Sequence, residues 1–471
     1  MFELHFDLDP AGKNPLYLQI SQTLADMIRR GQIPAGSRLP SKRSLMAALG
    51  VSQTTVEAAL ADLLAEGYIE SRPKSGYYAA QTTPAGEAPH PTAGQHRPEA
   101  GPDEAPAPAL PYPLSTGAVD TGVFPYAAWA RLTRETLLEP GLLDRGHRQG
   151  EPDLRQQLQQ FLWESRGVRC SPDQILVGAG QEYLLGQIFR LLGGCTIGLE
   201  DPGYHITWRT AETAGLTPVP VPVDGAGVDL AALERSGADA VCVTPAHQFP
   251  TGAVMPWSRR AGLLRWAGSG KWIIEDDYDG DFRWQGRPLN ALQSLDTGGR
   301  VVYMTTFSRT IAPGFRLAVA VLPPALLARY RALGDRACTV SRLEQETLGK
   351  FLSGGMYFRH LRRSAALYKK KQAALLEALA PLGANIGGAG AGLHITVTLP
   401  GRSEEELVQT AAHAGVAVTP MSDYRRDGAD TGTVLLGFAG LGEADLREAG
   451  RRLAEVWKIT DTENTHQAVI L

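Results

Sequence analysis

The residue types best suited to chemistry cluster at 303–323, YMTTFSRTIAPGFRLAVAVLP. An apolar run at 301–303 leads into the hydroxyls of Thr305, Thr306 and Ser308 and the cation Arg309. A Pro-Gly turn, a second cation (Arg316) and another apolar run at 317–322 follow. Strands on both sides of a polar elbow predict a buried pocket wall rather than an outer loop. Hydroxyls and guanidinium groups converging on one loop are suited to holding a phosphate, with Thr306 and Arg316 the leading candidates. Two other stretches carry related chemistry. Gly178, Ala179, Gly180 and Gln181 open a helix after an apolar run, so their N–H groups and the helix dipole suit an anion. At 273–279, IIEDDYD is an apolar strand running into carboxylates, and an acid buried there needs a partner.

These stretches need elements to position them, and the chain from about 113 onward supplies an alternating set. Helices are expected at 154–163, 181–192, 209–214 and 257–267. Strands are expected at 175–177, 196–199, 219–223, 240–243 and 272–274, completed by the two apolar runs around the elbow. Alternation of this kind predicts an α/β body with a mostly parallel, doubly wound sheet, whose function sits at the strand ends.

A chain of 471 residues with 43% apolar residues is long enough for two or three domains. Its net charge of -4 gives no general attraction to nucleic acid, so any DNA contact must come from a local patch. Cys170, Cys195, Cys242 and Cys338 lie far apart in no metal-type spacing, so no metal is expected and the thiols read as reduced. The start MFELHFDLDP lacks a signal-peptide core, and no apolar run approaches a membrane span. A soluble cytoplasmic protein is expected.

The first eighty residues are of a different kind. Leu16, Ile20, Leu24 and Ile28 fall at helical spacing over 15–30. Ser41 is a good N-cap for a second helix at 42–49, and Ser52 for a third at 53–66. Two short strands around a turn follow at 67–79. Three helices and a two-stranded wing describe a winged helix-turn-helix, whose short Gly-Val-Ser link sends the third helix into the major groove. Residues 81–111 are rich in Pro, Ala and Gly and poor in larger apolar residues, which predicts a flexible linker. The expected domains are therefore 1–80, the linker 81–111 and the body 112–471.

The segments PLYLQI, GQIPAGSRLPSKRSLMAALGVSQTTV and AEGYIESRPKSGYYA resemble the DNA-binding head of the GntR family. That resemblance implies a double-stranded DNA operator as partner. It assigns Arg38, Ser41, Lys42 and Arg43 to phosphates or base edges at the start of the second helix. It brings Ser52, Gln53, Thr54 and Thr55 to the DNA at the start of the third, and Arg72, Lys74 and Gly76 in the wing. From about 112 to 457, the motifs GHRQGEPDLR, RGVRCSPDQILVGAGQEYLL, EDPGY, TPAHQFPTG, IIEDDYDGDFRW, TTFSRTIAPGFRL and FRHLRR resemble the body of MocR-type regulators. This is an aminotransferase fold-type I body with a smaller α/β domain, often dimeric. The resemblance implies a site for pyridoxal 5′-phosphate (PLP). Asp276 would face the pyridine nitrogen, Tyr278 the 3′-oxygen, and Tyr204 would stack on the ring. Ala179, Gly180, Gln181, Thr306, Ser308 and Arg316 would surround the phosphate. His247 would lie near the ring oxygen, with Phe249 in register with the asparagine of aminotransferases.

The chain departs from the family where the chemistry is decided. Arg309 stands where the family carries its Schiff-base lysine, and a guanidinium stays charged and delocalised at any working pH. Lys271 precedes the acidic strand, and Lys369–Lys371 read as part of a solvated helix, so no neighbouring lysine replaces it. Leu435 stands near where many aminotransferases grip the substrate carboxylate with an arginine. Transamination is not expected. Three states of the site stay open: PLP held non-covalently with Arg309 beside it, another anionic ligand such as an amino acid or peptide, or a scaffold for dimerisation. The leading expectation is a DNA-binding regulator that senses a small-molecule effector; the alternative is a PLP-dependent aminotransferase with an accessory head.

Overall fold

The computed structural model describes residues 8–9, 14–73, 75–80, 110–284, 289–334 and 337–458. The chain divides into two compact units, Met1–Ala107 and Pro108–Leu471, each considered by itself. The linker expected at 81–111 falls almost wholly outside the described residues.

In the first unit the helices are Leu16–Arg29, Lys42–Leu49 and Gln53–Ala65, followed by antiparallel strands Ile69–Arg72 and Gly76–Ala79. Local rules set these bounds. The Ser41 hydroxyl accepts from the Ser44 N–H at 3.1 Å, and Ser52 accepts from the Thr55 N–H at 3.2 Å. Gly50, at φ +65°, ends the second helix in the left-handed conformation that a Cβ disfavours. Ile20, Leu24, Ile28, Leu45, Val56, Leu60 and Leu63 are buried together, so the helical spacing seen in the sequence is the spacing of the core.

The second unit is built on an eight-stranded sheet. In spatial order its strands are Ile175–Gly178, Ala318–Val321, Val301–Thr306, Trp272–Asp277, Ala240–Val243, Thr196–Asp201, Thr217–Asp224 and Gly227–Val228. The five strands from Val301–Thr306 to Thr217–Asp224 run parallel. Ala318–Val321 is antiparallel to both neighbours, and Gly227–Val228 returns as a hairpin. Helices cover both faces. Val302 and Met304 pack into the core with the Gln181–Leu192 helix, whereas Tyr303, between them, packs on the other face.

A smaller antiparallel sheet of Asn385–Gly387, His394–Thr398, Thr433–Gly437 and Thr419–Pro420 follows. Helices Met356–Leu379, Glu404–His413 and Glu443–Val456 accompany it around a second core. Two boundaries differ from the sequence expectation in an informative way. The acidic strand continues through Asp277, and its neighbour through Thr306, because Tyr303, Met304 and Thr305 stay in register with Glu275, Asp276 and Asp277. The carboxylates therefore lie in the ladder rather than beyond it, and period-two alternation sends them to opposite faces.

Candidate functional site

A cavity of about 300 Å³ opens at the strand ends of the large sheet. Gln181, Tyr204, Asp276, Tyr278, Thr306, Ser308, Arg309 and Arg316 all line it. Each comes from a turn that follows a strand: 178–181, 201–204 and 276–278, with 306–316 joining the last antiparallel pair. Thr306 accepts from the Ser308 N–H at 3.2 Å and lies 3.0 Å from the Ser308 hydroxyl, so both hydroxyls are held on one wall. Arg316 takes the left-handed conformation at φ +49° and folds against Gly180, where a Cβ would lie 2.7 Å from its Nη2. Glycine at 180 is thus what lets the guanidinium approach the start of the helix. Ala179 and Gly180 back this wall, and the Ala179 N–H already donates to the Thr339 hydroxyl at 3.0 Å.

The four consecutive strand and turn acids have separate roles. Glu275 accepts from the N–H groups of Leu292 and Gln293 at 2.7 and 2.8 Å, and burial raises its carboxyl to about 7. Asp277 is gripped by both sides of the Arg166 guanidinium, at 2.6 and 2.9 Å, and accepts from the Tyr303 hydroxyl at 2.7 Å. Asp276, on the opposite face, reaches the cavity. Its Oδ2 accepts from the Gln181 amide, whereas its buried Oδ1 has no partner among the described residues. Burial, then the neighbouring Asp277 and Glu200 carboxylates, push Asp276 well above the usual carboxylate range. Asp279 binds His247.

Arg309 donates to the Thr116 carbonyl at 2.6 Å and lies 5.9 Å from the Tyr278 ring centre. Lysine is absent from the cavity lining among the described residues. Lys371 is not solvated as its basic run suggested. It is buried, donating to Asp120 at 2.6 Å and to the Ala439 carbonyl at 2.8 Å, because it shares a helix face with buried Tyr368 and Leu375. Leu435 is fully buried in an apolar cluster with Phe249 and Met421, against which Tyr278 and Tyr424 pack.

His247 is not at the cavity wall. It is buried behind Tyr278, its Nδ1 3.0 Å from the Tyr278 hydroxyl and 2.9 Å from Asp279 Oδ2. Ring packing continues to His394, 4.8 Å away, whose imidazole burial and the neighbouring His247 push down to about 3. Sequence reasoning also missed lining residues from distant loops: Thr116, Gly117, Thr244 and Tyr424, and Phe249 as a wall. Tyr424 meets the Phe249 ring edge-on at 4.9 Å, and Phe249 lies 5.9 Å from Tyr204. No local pattern marks Thr116 or Tyr424. The Arg166–Asp277 pair is 111 residues apart in sequence and equally silent there.

In the first unit, Arg38, Ser41, Arg43, Ser52, Gln53 and Thr54 are exposed, as is Arg72, which lies 4.2 Å from the Tyr78 ring centre. Lys42 and Thr55 are half-buried, and Gly76 passes close to Arg38. Lys74 lies outside the described residues. Glu57 was not foreseen: it accepts from Lys42 at 3.0 Å and from the Gln53 amide at 3.1 Å, tying together the starts of the second and third helices.

Fold and site together define a winged-helix head joined to a fold-type I body. The profile described as "Aminotransferase class I and II" matches residues 112–453, and "Bacterial regulatory proteins, gntR family" matches 16–78. The chain is 39% identical over 463 residues to YhdI of Bacillus subtilis (strain 168), named an uncharacterized HTH-type transcriptional regulator; the match covers 96% of this chain and 97% of that one. It is 32% identical over 467 residues to the probable rhizopine catabolism regulatory protein MocR of Rhizobium meliloti, covering 94% and 93%. Among solved structures, Pyrococcus horikoshii kynurenine aminotransferase in complex with PMP is similar, with TM-score 0.66 and 26% identity over 75% of this chain and 91% of that one. The chain belongs to the aminotransferase class I and II family and, with its GntR head, to the MocR subfamily of regulators.

Proposed function

We propose that this chain is a cytoplasmic, DNA-binding transcriptional regulator whose body senses a small anionic ligand without a covalent bond and without transamination. The observation that carries this reading is the guanidinium of Arg309 on the cavity wall, held by the Thr116 carbonyl, where no deprotonatable amine lines the cavity among the described residues. The regulator names of the relatives and the winged-helix head support the first half of it.

The residues fit PLP as the ligand. Asp276 keeps an unpartnered, buried Oδ1 that a protonated ring nitrogen would satisfy. Thr306, Ser308, Arg316 and the helix start at Gln181 would hold the phosphate, and Tyr204, Phe249 and Tyr278 would bound the ring. When bound, PLP supplies an aldehyde conjugated to an electron-withdrawing ring. Arg309 cannot release a proton to attack that aldehyde, so its role is to add positive charge and a directed N–H. Leu435, surrounded by aromatic rings, offers no cation for a substrate carboxylate. A ligand that favours one arrangement of the heads in a homodimer would shift affinity for the operator by its differential binding to the two arrangements.

The test is absorbance and intact mass of the full-length chain with PLP, before and after borohydride. The wild type is expected to bind reversibly and to show no mass increase, whereas Arg309→Lys gains a borohydride-fixed adduct. Steady amino-group exchange between a donor amino acid and a keto acid, catalysed by the wild type, would overturn the reading in favour of an aminotransferase with an accessory head.

A further inference from the structure

Behind the cavity, three side chains from separate segments meet without solvent. His247 lies in the turn after Ala240–Val243, Asp279 follows the Trp272–Asp277 strand, and His394 begins the His394–Thr398 strand of the smaller sheet. All three are buried, and each offers a ligand atom within 4.8 Å of the others.

The hydrogen-bond accounting there does not close. His247 Nδ1 faces both Asp279 Oδ2 and the Tyr278 hydroxyl. If that nitrogen carries the ring proton, Nε2 is a bare lone pair. His247 Nε2 and Asp279 Oδ1 are both buried and without a partner among the described residues. Leaving such groups unpaired costs about 1–3 kcal/mol each. His394 is different: its Nε2 lies 3.0 Å from the Pro250 carbonyl, so an N–H there donates outward and leaves Nδ1 with its lone pair. Metal-ligating histidines are held in this way by a second bond to a backbone carbonyl.

The backbone makes room for the group. A Cβ at Gly392, which has φ +69°, would fall 2.0 Å from His247 Cε1 and 2.6 Å from Asp279 Oδ2. A Cβ at Gly252, with φ +74°, would lie 3.4 Å from His247 Nε2. The geometry points to a divalent metal site formed by His247, Asp279 and His394. Two imidazoles and one carboxylate suit an ion of the zinc class better than calcium or magnesium, which favour all-oxygen sets. The ion answers several lone pairs at once and ties the large sheet to the small one. It also shares Tyr278 with the cavity, through the hydroxyl that faces His247. Sequence spacing could not reveal it, because the ligands lie 32 and 115 residues apart along the chain.

The experiment is elemental analysis of the tag-free, full-length chain prepared with zinc and without chelator, joined to X-ray absorption at the zinc edge. About one zinc per chain is expected, in a shell of nitrogen and oxygen at about 2.0–2.2 Å. Asp279→Asn and His394→Gln should each lower the zinc content at least tenfold while keeping the circular dichroism of the wild type. Zinc at background in the wild type overturns the site in favour of a plain Tyr–His–Asp hydrogen-bond chain. Retention in both variants, or a sulfur shell near about 2.3 Å from cysteine ligation, also overturns it. The absorption spectrum of the wild type decides even where a variant fails to fold.

Discussion

The two units place charge in opposite settings. In the head, Lys42 and Glu57 pair at 3.0 Å with both side chains about 40% exposed. In the body, Arg166 and Asp277 pair at 2.6 Å with side chains 4% and 2% exposed. Water screens the first pair and leaves it little to contribute, whereas removing one partner of the second leaves a charge stranded in a core. A DNA-reading surface can therefore change its charges at little cost to folding, but the walls of a ligand cavity cannot. The difference also separates what each region asks of its residues: exposure in one, exact mutual satisfaction in the other.

Three substitutions would break or sharpen that contrast. The largest effect is expected from Arg166→Ala, which strands the Asp277 carboxylate and should cost about 3–5 kcal/mol in urea unfolding of the body. Lys42→Ala should leave the unfolding midpoint where it is, and an equal loss in both would erase the distinction.

Next comes Glu200, buried with its carboxyl raised from 4.5 to about 7 by burial, although the Thr244 hydroxyl donates to it at 2.6 Å. A carboxyl raised on folding contributes stability that is full below about pH 4.5 and lost as the pH climbs through about 7. Glu200→Gln should therefore melt closer to the wild type at pH 5 than at pH 8, where the variant gains. Parallel melting curves across that range would count against a protonated Glu200.

The smallest effect belongs to the exposed cations of the head. Arg43→Ala should lower the salt slope of operator binding by about one, whereas Lys42→Ala, already paired with Glu57, should lower it by less. Equal slopes for the two variants would mean that Glu57 releases Lys42 when DNA arrives.

What was legible in the sequence follows the same divide. The helices of the head are set by neighbours three or four residues away, so Ser41, Ser52 and Gly50 announce them. The phosphate-type wall was legible for a similar reason, since Thr306, Ser308, Arg309 and Arg316 share one elbow. Residues brought in from afar carry no such mark: Thr116 and Tyr424 come from opposite ends of the body. His247 was read as facing the cavity, but the Asp279 carboxylate draws it behind Tyr278. Lys371 shows a signal that composition hid. It falls three residues after Tyr368 and four before Leu375, on the buried stripe of its helix, and the surrounding basic residues masked that phase.

The bond from Arg309 to Thr116 has one more consequence. Thr116 lies just past the Tyr112–Pro113 strand, where the described body begins after the stretch leading from the head. A guanidinium has a fixed number of N–H groups, and one of them is already committed to that carbonyl. An anion entering the cavity must share it or pull it away, so filling the cavity and loosening the body's first anchored loop are opposite ends of one balance.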